Sequence, residues 1–125
     1  MRLLAGTLLV SLAAAGPAAS AGGAAPRDSY CSPTGDYCTS VKKQGVERFL
    51  RIGTFSFTGR YRLCVTPPEG RRTCKGFRLK AEEAGIYGSR VRWGAQFPNE
   101  GPGLYRVAWR KSGNRLGPRL GFRRG

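Results

Sequence analysis

The chain has 125 residues, with 22 Lys and Arg, only 7 Asp and Glu, no His, and a formal net charge of +15 at pH 7. This length suits one domain with a thin core. The lack of His removes the commonest general base, so the composition argues against an enzyme. The large positive charge indicates attraction to anionic partners.

The first 21 residues predict a secretory signal peptide. Arg2 precedes the apolar run Leu3 to Ala15, and the small residues Ala19-Ser20-Ala21 follow it. This three-part order is typical of an export signal. The apolar run is shorter than the roughly 20 residues that span a bilayer. We therefore predict cleavage after Ala21, a secreted or extracellular localisation, and no membrane span in the mature form.

The remaining chain divides into two ranges. Residues 22–45 are rich in Gly, Pro and polar residues, which predicts an N-terminal loop segment closed by a disulfide. From residue 46 to 125, apolar and polar residues alternate in short runs between turn residues, a pattern typical of strands. Residues 81–84 are predicted to be a short irregular or single-turn stretch, and no convincing helix is found. The sequence therefore predicts an antiparallel β-sandwich of about six or seven strands over 46–125.

The chain contains 4 cysteines, at positions 31, 38, 64 and 74. In a short exported chain an even number of cysteines indicates disulfides, and three pairings are open. Proximity in sequence favours Cys31–Cys38 and Cys64–Cys74. A zinc site is the alternative, but the Cys-x-x-Cys spacing that such sites favour is absent. We predict two local disulfides, no metal and no other cofactor.

The second disulfide also predicts the register of a hairpin. If Cys64 lies opposite Cys74, the other opposed pairs follow by counting. These pairs are Val65 with Thr73, Tyr61 with Phe77, and Arg60 with Arg78. This register places the aromatic pair towards the core and the arginines outside, whereas a slip by one residue would turn the arginines inwards.

One segment carries a resemblance to a known fold. Ser89-x-Val91-x-Trp93, followed by Pro98-Asn-Glu-Gly-x-Gly-Leu-Tyr105-Arg-Val107, resembles the E–F corner of an immunoglobulin-like domain. In that fold a Tyr at the start of strand F hydrogen-bonds to the corner backbone, a role that the resemblance assigns to Tyr105. Val107 stands where an antibody-type domain has its second Cys, so two local bridges replace the inter-sheet disulfide.

Two protein groups share this overall pattern. Over residues 30–122 the chain resembles short secreted actinobacterial proteins of unassigned function, which implies a fold and a compartment but no activity. It is also similar to apo-chromoproteins of the neocarzinostatin type, which are exported and immunoglobulin-like and hold an apolar ligand in a cleft. Those proteins are typically acidic, whereas this chain is basic. The second resemblance implies a small-ligand carrier as an alternative function.

Surface arginines are the candidate binding residues. We predict that they point outward from alternating strands, where guanidinium groups suit phosphate and carboxylate. The candidate set is Arg60, Arg62, Arg78, Arg90, Arg92, Arg106 and Arg110. It predicts a non-enzymatic module that docks on anionic cell-envelope polymers, such as teichoic acid, anionic glycan or extracellular DNA, without sequence-specific nucleic-acid recognition. An ordinary solvated sheet face is the alternative interpretation.

No catalytic site is predicted. Glu82 and Glu83 are adjacent, so on a strand they would point to opposite faces and would not form a facing carboxyl pair. A different functional class stays open, namely a secreted protein-binding factor such as an inhibitor of an extracellular enzyme. The Cys31–Cys38 loop or the Phe97–Gly103 turn would then be the binding loop.

Overall fold

The computed structural model describes residues 25–125, and the predicted signal peptide lies outside the described residues. Within this range the protein is all-β, with ten strands and one short helix. The helix α1 spans Trp93–Gln96. The strands are β1 (Ser29–Cys31), β2 (Tyr37–Ser40), β3 (Lys43–Gln44), β4 (Glu47–Thr54), β5 (Gly59–Thr66), β6 (Thr73–Glu83), β7 (Ile86–Arg92), β8 (Gly103–Lys111), β9 (Asn114–Arg115) and β10 (Leu120–Arg124).

The strands form one curled antiparallel sheet in the order β1-β2-β4-β7-β6-β5-β8-β10, with β3 beside β4 and β9 beside β8. The long strand β6 connects the two parts of this sheet. Its first portion pairs with β5 from Thr73 to Leu79, and its second portion pairs with β7 from Lys80 onward. A single strand therefore leaves one ladder and enters the other, and the sheet curves round the core at that point.

The predicted all-β class is confirmed, but the structure contains more strands than the six or seven expected. The segment predicted as a loop over 22–45 includes β1, β2 and β3. Strand β1 is at the edge of the sheet, and β2 lies between β1 and β4. Residues 81–83, predicted to be irregular, continue β6 with a register shift. Strands of two to four residues are too short to show an alternating pattern, which explains why the sequence did not reveal them.

Both predicted disulfides are present. Cys31 lies opposite Cys38 on β1 and β2, and Cys64 lies opposite Cys74 on β5 and β6, with a Cα–Cα distance of 4.0 Å in each case. The predicted hairpin register is also confirmed, since Tyr61 faces Phe77. Two disulfides in a chain of this size are typical of proteins that fold in an oxidising compartment.

The core lies on the inner face of the curled sheet. Leu50 on β4, Leu63 on β5 and Trp109 on β8 are all 0% exposed. Because neighbouring residues of a strand point to opposite faces, burial of these side chains turns the intervening arginines towards solvent. The position of the core therefore decides which arginines can contact a partner.

An aromatic cluster closes one end of this core. The ring centroid of Tyr105 lies 5.1 Å from that of Trp93 and 5.2 Å from that of Phe122. The Tyr105 hydroxyl donates a hydrogen bond to the Gly101 carbonyl oxygen at 2.7 Å and accepts one from the Glu100 N–H at 2.9 Å. The predicted hydrogen bonding of Tyr105 to backbone a few residues upstream is therefore present.

Residues 25–125 contain no helix that is long and apolar enough to cross a membrane.

Candidate functional site

Outward-facing arginines lie directly opposite one another on neighbouring strands. The opposed pairs are Arg51 with Arg90, Arg60 with Arg78, Arg62 with Arg110, and Arg110 with Arg115. Like charges in directly opposed positions destabilise a sheet. We call this surface the arginine band, and it consists of Arg51, Arg60, Arg62, Arg78, Arg90, Arg110 and Arg115.

The band is continuous because β6 belongs to both ladders. Arg78 on β6 faces Arg60 on β5, and Lys80, two residues further along the same face, pairs with Gly88 on β7. Neighbouring strands are about 4.8 Å apart. Band arginines thus occur on each successive strand from β4 through β7, β6, β5 and β8 to β9.

No band arginine forms a salt bridge with a carboxylate of residues 25–125. In the described part of the chain one salt bridge forms, between Arg92 Nε and Glu47 Oε2 at 3.3 Å, and Arg92 is outside the band. Two band arginines bind carbonyl oxygens instead: Arg110 donates to Gly113 at 2.7 Å and Arg115 to Gly117 at 3.1 Å. These hydrogen bonds orient the guanidinium groups but leave their charge uncompensated.

The structure places some of the seven predicted binding arginines on the arginine band and the others outside it. Five of them, Arg60, Arg62, Arg78, Arg90 and Arg110, lie on the band. The other two do not. Arg92 faces Phe49 and pairs with Glu47. Arg106 faces Thr66, and Ala108 and the Cys64–Cys74 disulfide lie between it and Arg110.

Sequence reasoning missed Arg51 and Arg115. Arg51 alternates with the buried Leu50 and Ile52, so its outward direction was readable, but its contact with Arg90 joins distant parts of the chain. Arg115 belongs to a two-residue strand that shows no alternation.

A cleft of about 970 Å³ lies at the β4–β7 end of the band, where β6 separates from β7. The guanidinium carbon of Arg90 lies 3.8 Å from the ring centroid of Phe49, and its Nη2 donates to Gln44 Oε1. Arg90 is therefore held in position before any ligand arrives. The basic side chains that line the cleft are Arg51, Arg78, Lys80, Arg90 and Arg92.

A hydrogen bond crosses the core side of this cleft. The Tyr61 hydroxyl on β5 donates to Ser89 Oγ on β7 at 2.6 Å. Burial raises the pKa of Tyr61 to about 12, although the hydrogen bond with Ser89 acts in the opposite direction. A phenol with this pKa is protonated at neutral pH and therefore does not act as a base. Its hydrogen bond to Ser89 links β5 to β7.

We expect the Tyr61 hydroxyl to remain protonated well above pH 10 and to titrate at about pH 12. Because the pKa in the folded state exceeds the ordinary value of 10.0, the stability it contributes is complete below pH 10 and is lost between pH 10 and 12. Carbon-13 NMR of the Tyr61 Cζ across this range measures the titration. Ionisation near pH 10 in the folded protein would contradict the burial of this hydroxyl.

Clusters of potential metal ligands are not found among the described residues. Over 25–125 no group of three or more His, Cys, Asp or Glu side chains is placed to hold an ion, and the four cysteines are in disulfides. The geometry of the band instead suits repeated contacts with oxyanions.

No protein-family model and no curated protein matches the sequence. Among solved structures, the crystal structure of a Br derivative of BhCBM56 is similar over 78% of this chain and 99% of that chain, with 18% identity and a TM-score of 0.45. This similarity is too low to support an inference about function. The resemblance to short secreted actinobacterial proteins stays a prediction.

Proposed function

We propose that this protein is a non-enzymatic binding module that docks on linear anionic polymers through the arginine band. The observation that carries this proposal is the set of directly opposed arginine pairs without carboxylate partners. A sheet face that served only solubility would gain stability from mixed charges. A polymer that crosses the strands would supply the missing negative charge to successive pairs.

The chemistry of arginine supports oxyanions as the recognised groups. A guanidinium group donates two parallel hydrogen bonds to a phosphate or a carboxylate, and it stays charged at any physiological pH. Repeated contacts with a polymer backbone do not require recognition of individual nucleic-acid bases. We therefore propose no sequence-specific nucleic-acid target. Binding of this kind weakens steeply as salt rises.

The two disulfides and the predicted signal peptide favour a partner outside the cell. We therefore propose the cell envelope as the place of action, with teichoic acid, anionic glycan or extracellular DNA as the polymer classes. A secreted protein-binding factor stays the alternative function, and its binding would depend little on salt.

We also infer that the curled sheet is an immunoglobulin-like arrangement. Two strand orders support this inference: β2-β4-β7-β6 on one side and β6-β5-β8-β10 on the other, with β6 shared between them. The hydrogen bond from Tyr105 to Gly101 supports it further, because that contact occurs at the E–F corner of such domains.

The proposal is tested by removing three band charges and comparing the result with removal of three charges elsewhere. The band variant is Arg60→Gln, Arg62→Gln and Arg78→Gln. The matched control is Arg71→Gln, Arg72→Gln and Arg119→Gln, all at exposed positions outside the band. Both variants lose the same net charge. Titration calorimetry of the oxidised protein against purified teichoic acid, an anionic glycan and DNA across a salt series measures binding.

We expect the band variant to lose about 100-fold in affinity for at least one polymer, at roughly 1 kcal/mol for each arginine near an anionic surface. The control should lose much less. Equal losses in the two variants would show that net charge alone attracts the polymer, and the band would then be an ordinary solvated face. No binding at about 0.15 M salt would also overturn the proposal.

A further inference from the structure

The cleft at the β4–β7 end of the band already contains a carboxylate that belongs to the protein. Glu82 on β6 lines this cleft, and its side chain lies over Gly88 on β7. A Cβ atom on Gly88 would collide with the Glu82 carboxylate. Gly88 is buried although its strand position faces outward, and the overlying Glu82 carboxylate accounts for this burial.

The floor beneath this carboxylate is bare backbone. Gly88 lies opposite Gly53 of β4, so two adjacent strands carry no side chain at this point. A Cβ atom on Gly53 would meet no atom within 4 Å, which shows open space above it. A flat group can therefore lie directly against the sheet beside the guanidinium groups.

Several cationic side chains lie near this position, but none of them forms an ion pair with Glu82. Lys80 faces Gly88 across the ladder, and Arg51 faces Arg90 one row further along the same face. Arg90 is held by Phe49 and Gln44. Within residues 25–125 the Glu82 carboxylate forms no ion pair within 4.0 Å. The carboxylate thus rests in a positive field without a contact that would make it hard to displace.

We propose that this cleft is a carboxylate-binding subsite of the arginine band, and that Glu82 occupies the place of a ligand carboxylate until a polymer displaces it. This inference rests on the proposed function and names the ligand class, which is a glycan whose sugar units carry carboxylates. Glu82 then competes with the ligand carboxylate for this subsite and lowers the affinity of the protein for the ligand.

The shape of the cleft favours a carboxylate over a phosphodiester. A carboxylate is planar and matches the planar guanidinium fork, and the Glu82 carboxylate approaches the backbone at Gly88 through its Oε1 atom. The phosphorus of a phosphodiester is tetrahedral and bonds to two ester oxygens that continue the polymer chain. The group therefore needs more height above the backbone. Phosphodiester polymers, including teichoic acid and DNA, therefore enter as the comparison in the test.

The test uses Glu82→Gln, with Glu83→Gln as a matched control. Both substitutions remove one negative charge from an exposed residue of β6, but Glu83 does not line the cleft. The probes are galacturonate oligomers, which carry only carboxylates, and poly(glycerol phosphate), which carries only phosphodiesters. Calorimetry at about 0.15 M salt gives the affinities. The amide resonance of Gly88 in nitrogen-15 NMR spectra reports displacement of the overlying carboxylate.

We expect Glu82→Gln to raise the affinity for galacturonate oligomers about fivefold, a change of roughly 1 kcal/mol, while Glu83→Gln changes it less than twofold. The chemical shift of the Gly88 amide should change when the oligomer is added to the wild-type protein. It should not change when the oligomer is added to the Arg90→Gln variant.

Three results separate the two proposals. If the wild-type protein binds neither probe and does not bind DNA, both the proposed function and the subsite fail. If it binds galacturonate but Glu82→Gln and Glu83→Gln behave alike, the subsite is overturned and the proposed function stands. If Glu82→Gln gains equally for both probes, the assignment to carboxylates is overturned.

Discussion

Replacement of Trp109 with alanine is expected to lower the free energy of unfolding by about 3–5 kcal/mol, the range for large aromatic side chains removed from a core. Trp109 is 0% exposed on β8 and lies opposite Leu63 on β5. Its deletion leaves a cavity in the middle of the sheet. Since domains of this size are stable by only about 5–15 kcal/mol, this one substitution removes much of the total. Urea unfolding followed by circular dichroism measures the effect.

Trp109→Phe is the matched control for this prediction. The indole N–H of Trp109 is buried and has no hydrogen-bond partner within the described residues, so phenylalanine removes an unsatisfied donor along with part of the volume. We expect the phenylalanine variant to cost much less than the alanine variant. A loss below about 1 kcal/mol for Trp109→Ala would show that the sheet closes round the gap.

Removal of the Cys64–Cys74 bridge by a double Cys→Ala substitution is expected to cost roughly 2–4 kcal/mol of stability. The bridge joins β5 to the portion of β6 that lies at the centre of the sheet, and Cys64 is only 2% exposed. Its loss enlarges the conformational freedom of the unfolded chain and leaves two small side chains in place of a packed sulfur pair. Thermal unfolding of the purified variant provides the measurement.

The Cys31–Cys38 bridge offers a comparison within the same chain. It joins β1 and β2 at the edge of the sheet, and both cysteines are exposed. We expect its removal to loosen this hairpin locally and to lower the global stability less than removal of Cys64–Cys74. Hydrogen exchange of the β1 and β2 amides would reveal the local effect. Equal global losses for the two bridges would contradict this ranking.

Local features of the fold were predictable from the sequence. The cysteine positions indicated the pairing, and counting from Cys64 and Cys74 gave the register that places Arg60 opposite Arg78. The Tyr105 corner was found because its partner Gly101 is only four residues away. In each case the interacting residues are close in sequence, so few alternative arrangements competed.

Long-range features were not predictable in the same way. The pairing of Arg51 with Arg90 joins strands separated by β5 and β6 in the chain, and nothing in the alternation of either strand identifies its neighbour. The cleft depends on that pairing. The position of Glu82 also escaped prediction, because residues 81–84 were expected to be irregular, whereas β6 continues there with a register shift. A single sequence does not encode such distances in its periodicity.

The continuity of β6 has a consequence for how the molecule opens. In a sandwich of two separate sheets, one sheet can loosen while the other stays intact. Here the backbone of β6 forms hydrogen bonds with β5 along one portion and with β7 along the next. Loss of either set of hydrogen bonds therefore also disturbs the other set. We therefore expect the amides of β5 and β7 to exchange with solvent deuterium at similar rates, in a single cooperative opening of the curled sheet.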